Sequence, residues 1–335
     1  MVKITQRLLL PLGLGLWLWF LVVSLALVGA STKAQSAPVT PAAINRPQDP
    51  VIVTGANLTA HVGAPVNELV LFVYQAGVWT PIPFQIDERT NDITGTYVIS
   101  DDGLLDANDE LVFMAADAGD SVGNNSNWPN DAASQAYPRH AIQVNDPLSP
   151  GSEVWTYLYR SLTLTRSNTS YVTWSQAAQV MTATSYIAAF EPANFVGLAN
   201  LKLNGNPADI LDRQKIRAKP PIFPAFTEES LKAFIPATIT LAVVGPVRAV
   251  RNDSALNLAL YTSRLDFEVL FDLSVLGGIS LQFIRTSLDL NPAMSGSTYY
   301  DSNATTAIIN GAPDTVPATP QLDWYQVISN TGPGG

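Results

Sequence analysis

The feature that most restricts the fold of this chain is a series of short apolar segments separated by turn-forming residues. From residue 51 onward these segments are rich in β-branched and aromatic residues, and clusters of Gly, Pro, Asn and Asp separate them. Examples are NELVLFVY, ELVFMA, EVWTYLY and LDFEVLF. Such runs are typical of strands, and only TEESLKAF at 227–234 has a helical pattern. The sequence therefore predicts an all-β protein of antiparallel β-sandwich architecture.

The segment 265–290 predicts a β-hairpin in detail. Gly277 and Gly278 sit between two strand patterns, where they favour a two-residue turn. Because side chains alternate along a strand, pairing outward from this turn gives two distinct faces. The apolar face has the pairs Phe271 with Ile284, Phe267 with Leu288 and Leu265 with Leu290. The other face carries Arg264, Asp266, Glu268 and Asp272 beside Arg285, Ser287 and Asp289.

This charged face has two interpretations. Arg264, Asp266, Glu268, Arg285 and Asp289 could bind a sugar on a polar sheet surface, or supply paired carboxylates for acid–base chemistry. The alternative is a solvated outer face, which antiparallel sheets commonly present. The predicted register places Asp266 opposite Asp289, a repulsive pair that requires a nearby arginine or another cation.

The N-terminus predicts export. A basic start with Lys3 and Arg7 precedes an apolar run from Leu8 to Ala30. This pattern is typical of a signal peptide at 1–30, and an uncleaved membrane anchor is the alternative. Residues 31–50 are rich in Pro, Ala and Ser and predict a flexible linker. We therefore expect a secreted, extracellular or cell-surface protein.

Charge and cysteine content exclude several classes of protein. The chain has no cysteine, which excludes disulfides, thiol catalysis and cysteine zinc sites. Without Lys3 and Arg7, 16 of the 18 basic residues remain against 28 acidic residues, a net charge of −12. Such a surface repels phosphate backbones, so nucleic acid is not an expected partner. Contact with a membrane is expected only through an uncleaved N-terminal segment.

Changes in composition predict two modules. The first is a β-sandwich at 51–165 that contains an acidic loop, and the second is a β-sandwich or supersandwich-like module at 166–335. The C-terminal sequence SNTGPGG is that of a linker or of a truncated module.

The acidic loop DDGLLDANDE predicts either a calcium site or a polar turn. With Gly103 as the sixth position of a calcium loop, three aspartates fall on positions five, nine and twelve, whereas Val98 and Ser100 occupy the first and third ligand positions. The candidate ligands of a structural calcium ion are Asp101, Asp102, Asp106, Asp109 and Glu110. Because Asp and Asn also favour turns for local hydrogen-bonding reasons, a polar turn before a buried strand is the alternative.

Aromatic and histidine residues give the remaining candidates. Trp128 lies in the polar segment NNSNWPND, where an exposed ring could stack on a sugar. The two histidines are His61 and His140, and Tyr137 and Arg139 lie close to His140 in sequence. A Tyr, His and Arg grouping can abstract a proton beside a uronate carboxylate, although neighbouring strand residues point to opposite faces.

Parts of the chain resemble known secreted proteins. WTPIPFQIDERT at 79–90 and DGLLDANDELVFMAADAGD at 102–120 resemble a module at the start of secreted bacterial all-β proteins. GPVRAVR at 245–251 is similar to the supersandwich region of polysaccharide lyase-like proteins. The resemblance implies a carbohydrate-associated function, with two hypotheses: a non-catalytic protein that binds a polysaccharide or cell-surface glycan, and a lyase-like enzyme. Clustering of His140 or Tyr137 with Arg264 or Arg285 would favour the enzyme.

Overall fold

The computed structural model confirms the prediction that the chain is all-β. Strands arranged in several antiparallel sheets make up most of its regular structure. The structure describes the following residues: 44–91, 95–99, 101–123, 127–191, 194–204, 206–227, 230, 241–252, 256–269, 281–301, 307–311 and 325–326. The predicted signal peptide, most of the predicted linker and nearly all of the predicted helix at 227–234 lie outside the described residues.

The first part of the chain contains the strands β1 to β7, which are β1 Pro50–Thr54, β2 Leu69–Gln75, β3 Val78–Pro81, β4 Phe84–Asp87, β5 Glu110–Met114, β6 His140–Asn145 and β7 Glu153–Arg160. The strands that follow are β8 Val172–Ser175, β9 Val180–Ala183, β10 Tyr186–Glu191, β11 Asn194–Leu203, β12 Leu211–Lys219, β13 Val243–Val244, β14 Arg248–Asn252, β15 Leu256–Tyr261, β16 Leu265–Val269, β17 Phe283–Leu290, β18 Thr298–Asp301, β19 Ala307–Ile308 and β20 Tyr325–Gln326. Single 3₁₀ turns are found at Gly55–Asn57, Val66–Glu68, Ala115–Asp117, Ala133–Ala136 and Pro292–Met294.

Strands β1 to β7 form two sheets, with the orders β1-β5-β4 and β3-β2-β7-β6. One hydrophobic cluster takes side chains from both sheets, including Phe113 of β5 and Leu71 of β2. Strand β5 is buried on both faces, because Val112 and Met114 point away from this cluster and pack with Val247. Burial on both faces explains why ELVFM is continuously apolar after its first residue and lacks alternation.

The later strands form further antiparallel sheets, with the orders β11-β10-β9-β8, β12-β17, β13-β14-β15-β16 and β19-β18-β20. A second hydrophobic cluster joins residues from several of these sheets, among them Met181, Phe190 and Leu260. Leu265 and Leu290 are partly buried against this same cluster. Both leucines therefore face a core, as the alternation in their segments indicates.

The predicted pairing of 265–269 with 286–290 is wrong. Strand β16 pairs with β15, so that Asp266 lies opposite Ala259. Strand β17 pairs instead with β12, so that Asp289 lies opposite Arg213. The two strands belong to different sheets. The predicted turn at Gly277 and Gly278 lies outside the described residues.

A buried ionic network links β4 and β5 to β14. Arg248 is 2% exposed, and its Nε donates to Asp87 Oδ2 at 2.7 Å. Its Nη2 donates to Glu110, and its Nη1 donates to the Tyr261 hydroxyl at 3.1 Å. Burial by itself would lower the pKa of Arg248, but the charge of Asp87 together with the contributions of Tyr261 and Tyr97 holds the pKa above its usual range. The arginine is therefore a charged partner for two buried carboxylates.

A glutamine side chain fixes the backbone beside this network. Gln85 Oε1 accepts hydrogen bonds from the backbone nitrogens of Val247 at 2.9 Å and of Arg248 at 2.8 Å. A Cβ at Gly245 would lie 2.3 Å from that same oxygen. Only glycine allows this close approach, which gives the Gly-Pro-Val-Arg sequence a packing role.

Residues 41–335 form one compact unit, within which the Arg248 network connects the two predicted modules. The division into modules at 51–165 and 166–335 stays a prediction. Within the described part of the chain, no helix has the length and apolar character needed to cross a bilayer.

Candidate functional site

The five acidic residues of the predicted calcium loop make separate contacts. Asp109 is buried, and its carboxylate accepts hydrogen bonds from the backbone nitrogens of Arg89 at 2.9 Å and of Asp106 at 2.7 Å. Asp106 accepts a hydrogen bond from Asn91. Asp102 Oδ1 accepts the backbone N–H of Leu104 at 2.8 Å, which is a local turn contact.

The other two acidic residues of the loop also contact the protein, Asp101 through its backbone and Glu110 through its carboxylate. The backbone nitrogen of Asp101 donates to Glu88. Glu110 faces the Arg248 network, where its Oε1 accepts from Arg89 Nη1 at 3.1 Å and its Oε2 accepts from the Tyr97 hydroxyl at 2.9 Å. The described residues contain no group of three or more His, Asp or Glu side chains placed to hold a metal ion. The calcium site therefore stays a prediction from the sequence.

The charged residues predicted near 264–289 lie on two sheets. Arg264 forms a two-pronged contact with Asp266, with both donor–acceptor distances at 2.6 Å and both side chains exposed. Asp289 forms an ion pair with Lys215 of β12. Glu268 lies in β16 and Arg285 in β17, and their side chains are outside the described set. Each aspartate thus has its own cation, and a joint sugar site across these residues stays a prediction.

Trp128 belongs to a cluster of aromatic rings on one face of the β3-β2-β7-β6 sheet. Its ring centroid lies 5.1 Å from that of Tyr159 on β7. Trp79 on β3 lies 5.9 Å from the same Tyr159 ring and 5.0 Å from the Tyr157 ring. Both tyrosines are buried, whereas both tryptophans are half-buried. We call Trp79, Trp128, Tyr157, Tyr159 and Arg139 the aromatic patch.

Arg139 lies at the centre of the aromatic patch. Its guanidinium carbon is 5.3 Å from the Trp128 ring centroid, 5.9 Å from that of Trp79 and 4.9 Å from that of Tyr157. Its Nη1 donates to the backbone oxygen of Asn127 at 2.7 Å. A guanidinium within about 6 Å of several ring faces is attracted by their quadrupoles. Arg139 therefore stabilises the positions of both tryptophans.

Hydrogen bonds fix the loop that carries Trp128. The indole Nε1 of Trp128 donates to Ser134 Oγ at 2.7 Å, and that of Trp79 donates to Asn127 Oδ1 at 3.0 Å. Asp131 accepts the hydroxyls of Ser161 and Thr163, which hold the pKa of its carboxyl below the usual range, with Thr163 contributing most. The patch is therefore organised before any ligand arrives.

The two histidines are neighbours in space although they are distant in sequence. The ring centroids of His61 and His140 are 6.4 Å apart. His61 is buried, and its Nε2 lacks a hydrogen-bond partner. Burial lowers the pKa of His61 to about 4, and the charge of His140 contributes in the same direction. Both rings are therefore neutral at neutral pH.

The grouping expected for a lyase-like enzyme is not assembled among the described side chains. Tyr137 lies under the Arg160 guanidinium, 4.4 Å from ring centroid to carbon, and His140 lies beside His61. Arg264 pairs instead with Asp266. The sequence did not indicate Trp79 as a site residue, and it indicated Arg139 only as a neighbour of His140, because their contact with Trp128 depends on the folded chain.

No known protein family, curated protein or solved structure matches this chain.

Proposed function

We propose that the chain is an exported β-sandwich protein that binds a polysaccharide or a cell-surface glycan without converting it. The observation that carries the proposal is the aromatic patch, in which two half-buried tryptophans surround Arg139. Aromatic faces offer large, rigid contact area to the apolar faces of sugar rings. Export is supported by the basic start and apolar run of residues 1–30.

The polar surroundings of the patch suit hydroxyl-bearing ligands. Arg139 supplies N–H donors, and Asp131 and Asn127 carry acceptor oxygens within the same loop. A site of rigid rings with a few placed polar groups fixes the orientation of a ligand as well as its affinity. This combination supports a glycan over a purely apolar ligand.

The chemistry of the patch supports binding over catalysis. Acid–base catalysis needs a group whose pKa lies near the working pH. Burial raises the pKa of Tyr159 well above its usual range, with Arg139 acting in the opposite direction, so this tyrosine keeps its proton at neutral pH. The other ionisable side chains of the patch are Tyr157 and Arg139.

A glycan array followed by calorimetric titration of the strongest ligand tests this proposal. Trp128→Ala is expected to weaken binding by about fivefold, because one stacking ring contributes roughly 1 kcal/mol. Trp128→Phe keeps a ring and is expected to retain most of the affinity. Arg139→Gln removes the central cation and is expected to weaken binding to a similar extent.

Trp174→Ala is the matched control. Trp174 is also half-buried against an aromatic ring, with its centroid 6.0 Å from that of Phe190, but it lies on β8 in another sheet. This variant is expected to bind as tightly as the wild type. Absence of any glycan signal, or equal loss in the Trp128→Ala and Trp174→Ala variants, would refute the proposal.

A further inference from the structure

A row of four cations lies along β12. Arg213, Lys215, Arg217 and Lys219 occupy alternate positions, so they share one face of the β12-β17 sheet. The backbone register places Arg285 opposite Arg217. Successive members are about 6.7 Å apart along a strand, so the row extends for roughly 20 Å. We call these four residues the cationic row.

The cationic row contrasts with the rest of the protein. The whole chain carries a net charge of −10, with 18 basic against 28 acidic residues. Lys215 forms an ion pair with Asp289, the residue that lies opposite Arg213. The Debye length is about 8 Å at physiological ionic strength, so a ligand at this face responds mainly to the row and little to distant acids.

Exposed apolar side chains lie at the end of the cationic row. Directly after β12, Ile222 is 90% exposed and Phe223 is 52% exposed. Phe283, which lies opposite Lys219, is 42% exposed. We call these three residues the apolar tip. Soluble proteins rarely expose several large apolar side chains together unless the surface contacts a partner or a membrane.

The backbone holds the apolar tip in this position. Ala218 and Phe226 exchange backbone hydrogen bonds of 3.1 and 2.7 Å, which return the segment to the end of β12. Lys219 Nζ donates to the backbone oxygen of Phe223 at 2.6 Å. Pro220, Pro221 and Pro224 fix φ in the intervening turn and limit its rearrangement. These hydrogen bonds and prolines therefore keep Ile222 and Phe223 exposed.

We propose that the cationic row and the apolar tip form a docking surface for an anionic lipid bilayer. Large apolar side chains enter the boundary between headgroups and acyl chains, while Lys and Arg behind them contact anionic headgroups. A soluble polyanion would use the row and leave the tip in water, whereas an apolar protein partner would leave the row unused. The bilayer is the occupant that uses both, and this surface is separate from the aromatic patch.

Co-sedimentation with vesicles tests the docking surface. The experiment uses residues 41–335, which form one compact unit and exclude the apolar N-terminal run. Vesicles of phosphatidylcholine with about one third phosphatidylserine are expected to bind this protein at least about tenfold more tightly than pure phosphatidylcholine vesicles. Raising the salt concentration is expected to weaken binding, because it screens the row.

Two double variants separate the parts of the surface. Ile222→Ser with Phe223→Ser removes most of the tip, and Arg213→Gln with Arg217→Gln removes half of the row. Each is expected to reduce binding by about tenfold or more. Leu148→Ser with Leu162→Ser is the matched control, because these side chains are 79% and 83% exposed elsewhere on the surface. It is expected to bind like the wild type, and thermal unfolding checks that each variant is folded.

Three results would overturn the proposal. The first is no difference between anionic and neutral vesicles. The second is an equal loss of binding in the control and tip variants. The third is that both the wild type and the tip variant bind soluble polygalacturonate or single-stranded RNA, while neither protein binds vesicles. Trp128→Ala is expected to leave vesicle binding unchanged, which distinguishes failure of this proposal from failure of glycan binding.

Discussion

Replacement of Arg248 by methionine is expected to lower the free energy of unfolding by about 3–5 kcal/mol. The substitution keeps an unbranched apolar stem but removes the guanidinium, which leaves Asp87 and Glu110 without their buried cation. A buried carboxylate that loses its partner must be desolvated without compensation or must take up a proton. Urea denaturation at neutral pH measures the change through the shift in midpoint at constant slope.

Arg264→Met provides the control for this experiment. Arg264 also pairs with an aspartate, but both members of the pair are exposed. Exposed ion pairs contribute about 0–1 kcal/mol, so this variant is expected to stay close to the wild type. The two variants could lose stability equally, or Arg248→Met could lose less than about 1 kcal/mol. Either result would show that the buried Arg248 network contributes no more to stability than an exposed ion pair.

Acidification is expected to destabilise the protein through His61. Its pKa falls from 6.5 to about 4 in the folded state, mainly because burial penalises the charged ring. The unfolded state therefore takes up a proton at higher pH than the folded state does. This contribution to stability is complete above pH about 6.5, and about 3 kcal/mol of it is lost as the pH falls to about 4.

His61→Phe is expected to flatten this pH dependence between pH about 6.5 and 4, because phenylalanine has no proton to bind. Chemical denaturation at a series of pH values measures the slope. His140→Gln is the comparison variant. His140 is less buried, and burial lowers its pKa as well. We therefore expect His140→Gln to change the pH dependence of stability less than His61→Phe does. If the free energy of unfolding changed with pH equally in the wild type and in His61→Phe, the pKa of His61 would not be lowered in the folded state.

Local patterning was sufficient to predict the fold class. NELVLFVY, ELVFMA, EVWTYLY and LDFEVLF each overlap a strand of the structure, namely β2, β5, β7 and β16. These segments combine β-branched or aromatic residues with flanking turn formers, and both signals act within a few residues. Local signals of this kind survive in the folded chain because nearby contacts reinforce them.

Strand pairing could not be predicted in the same way. Alternation requires only that Leu265 and Leu290 face a core, and both contact the same hydrophobic cluster. It does not specify the neighbouring strand, and several apolar strands satisfy the requirement equally well. Strand β16 pairs with the adjacent β15, whereas β17 pairs with β12, which precedes it by more than 60 residues. Such distant pairings leave no local trace in one sequence.

The candidate sites were predictable to different extents. Trp128 attracted attention because a large aromatic residue stood in a polar segment, but its neighbours Trp79 and Arg139 are 49 and 11 residues away in sequence. The cationic row corresponds to the alternating segment RQKIRAK, and all of the apolar tip except Phe283 lies in PPIFPAF directly after it. Both are local patterns that a search for charged and aromatic alternation would find.

Indole N–H signals give the most direct test of glycan binding at the aromatic patch. A protein labelled with ¹⁵N at tryptophan is titrated with the strongest ligand from the array, and assignment uses single Trp→Phe variants. The signals of Trp79 and Trp128 are expected to shift together and to saturate at one affinity, while the signal of Trp174 stays in place. A saturating ligand that shifts Trp174 and leaves Trp79 and Trp128 unmoved would contradict the assignment of this patch as the binding site.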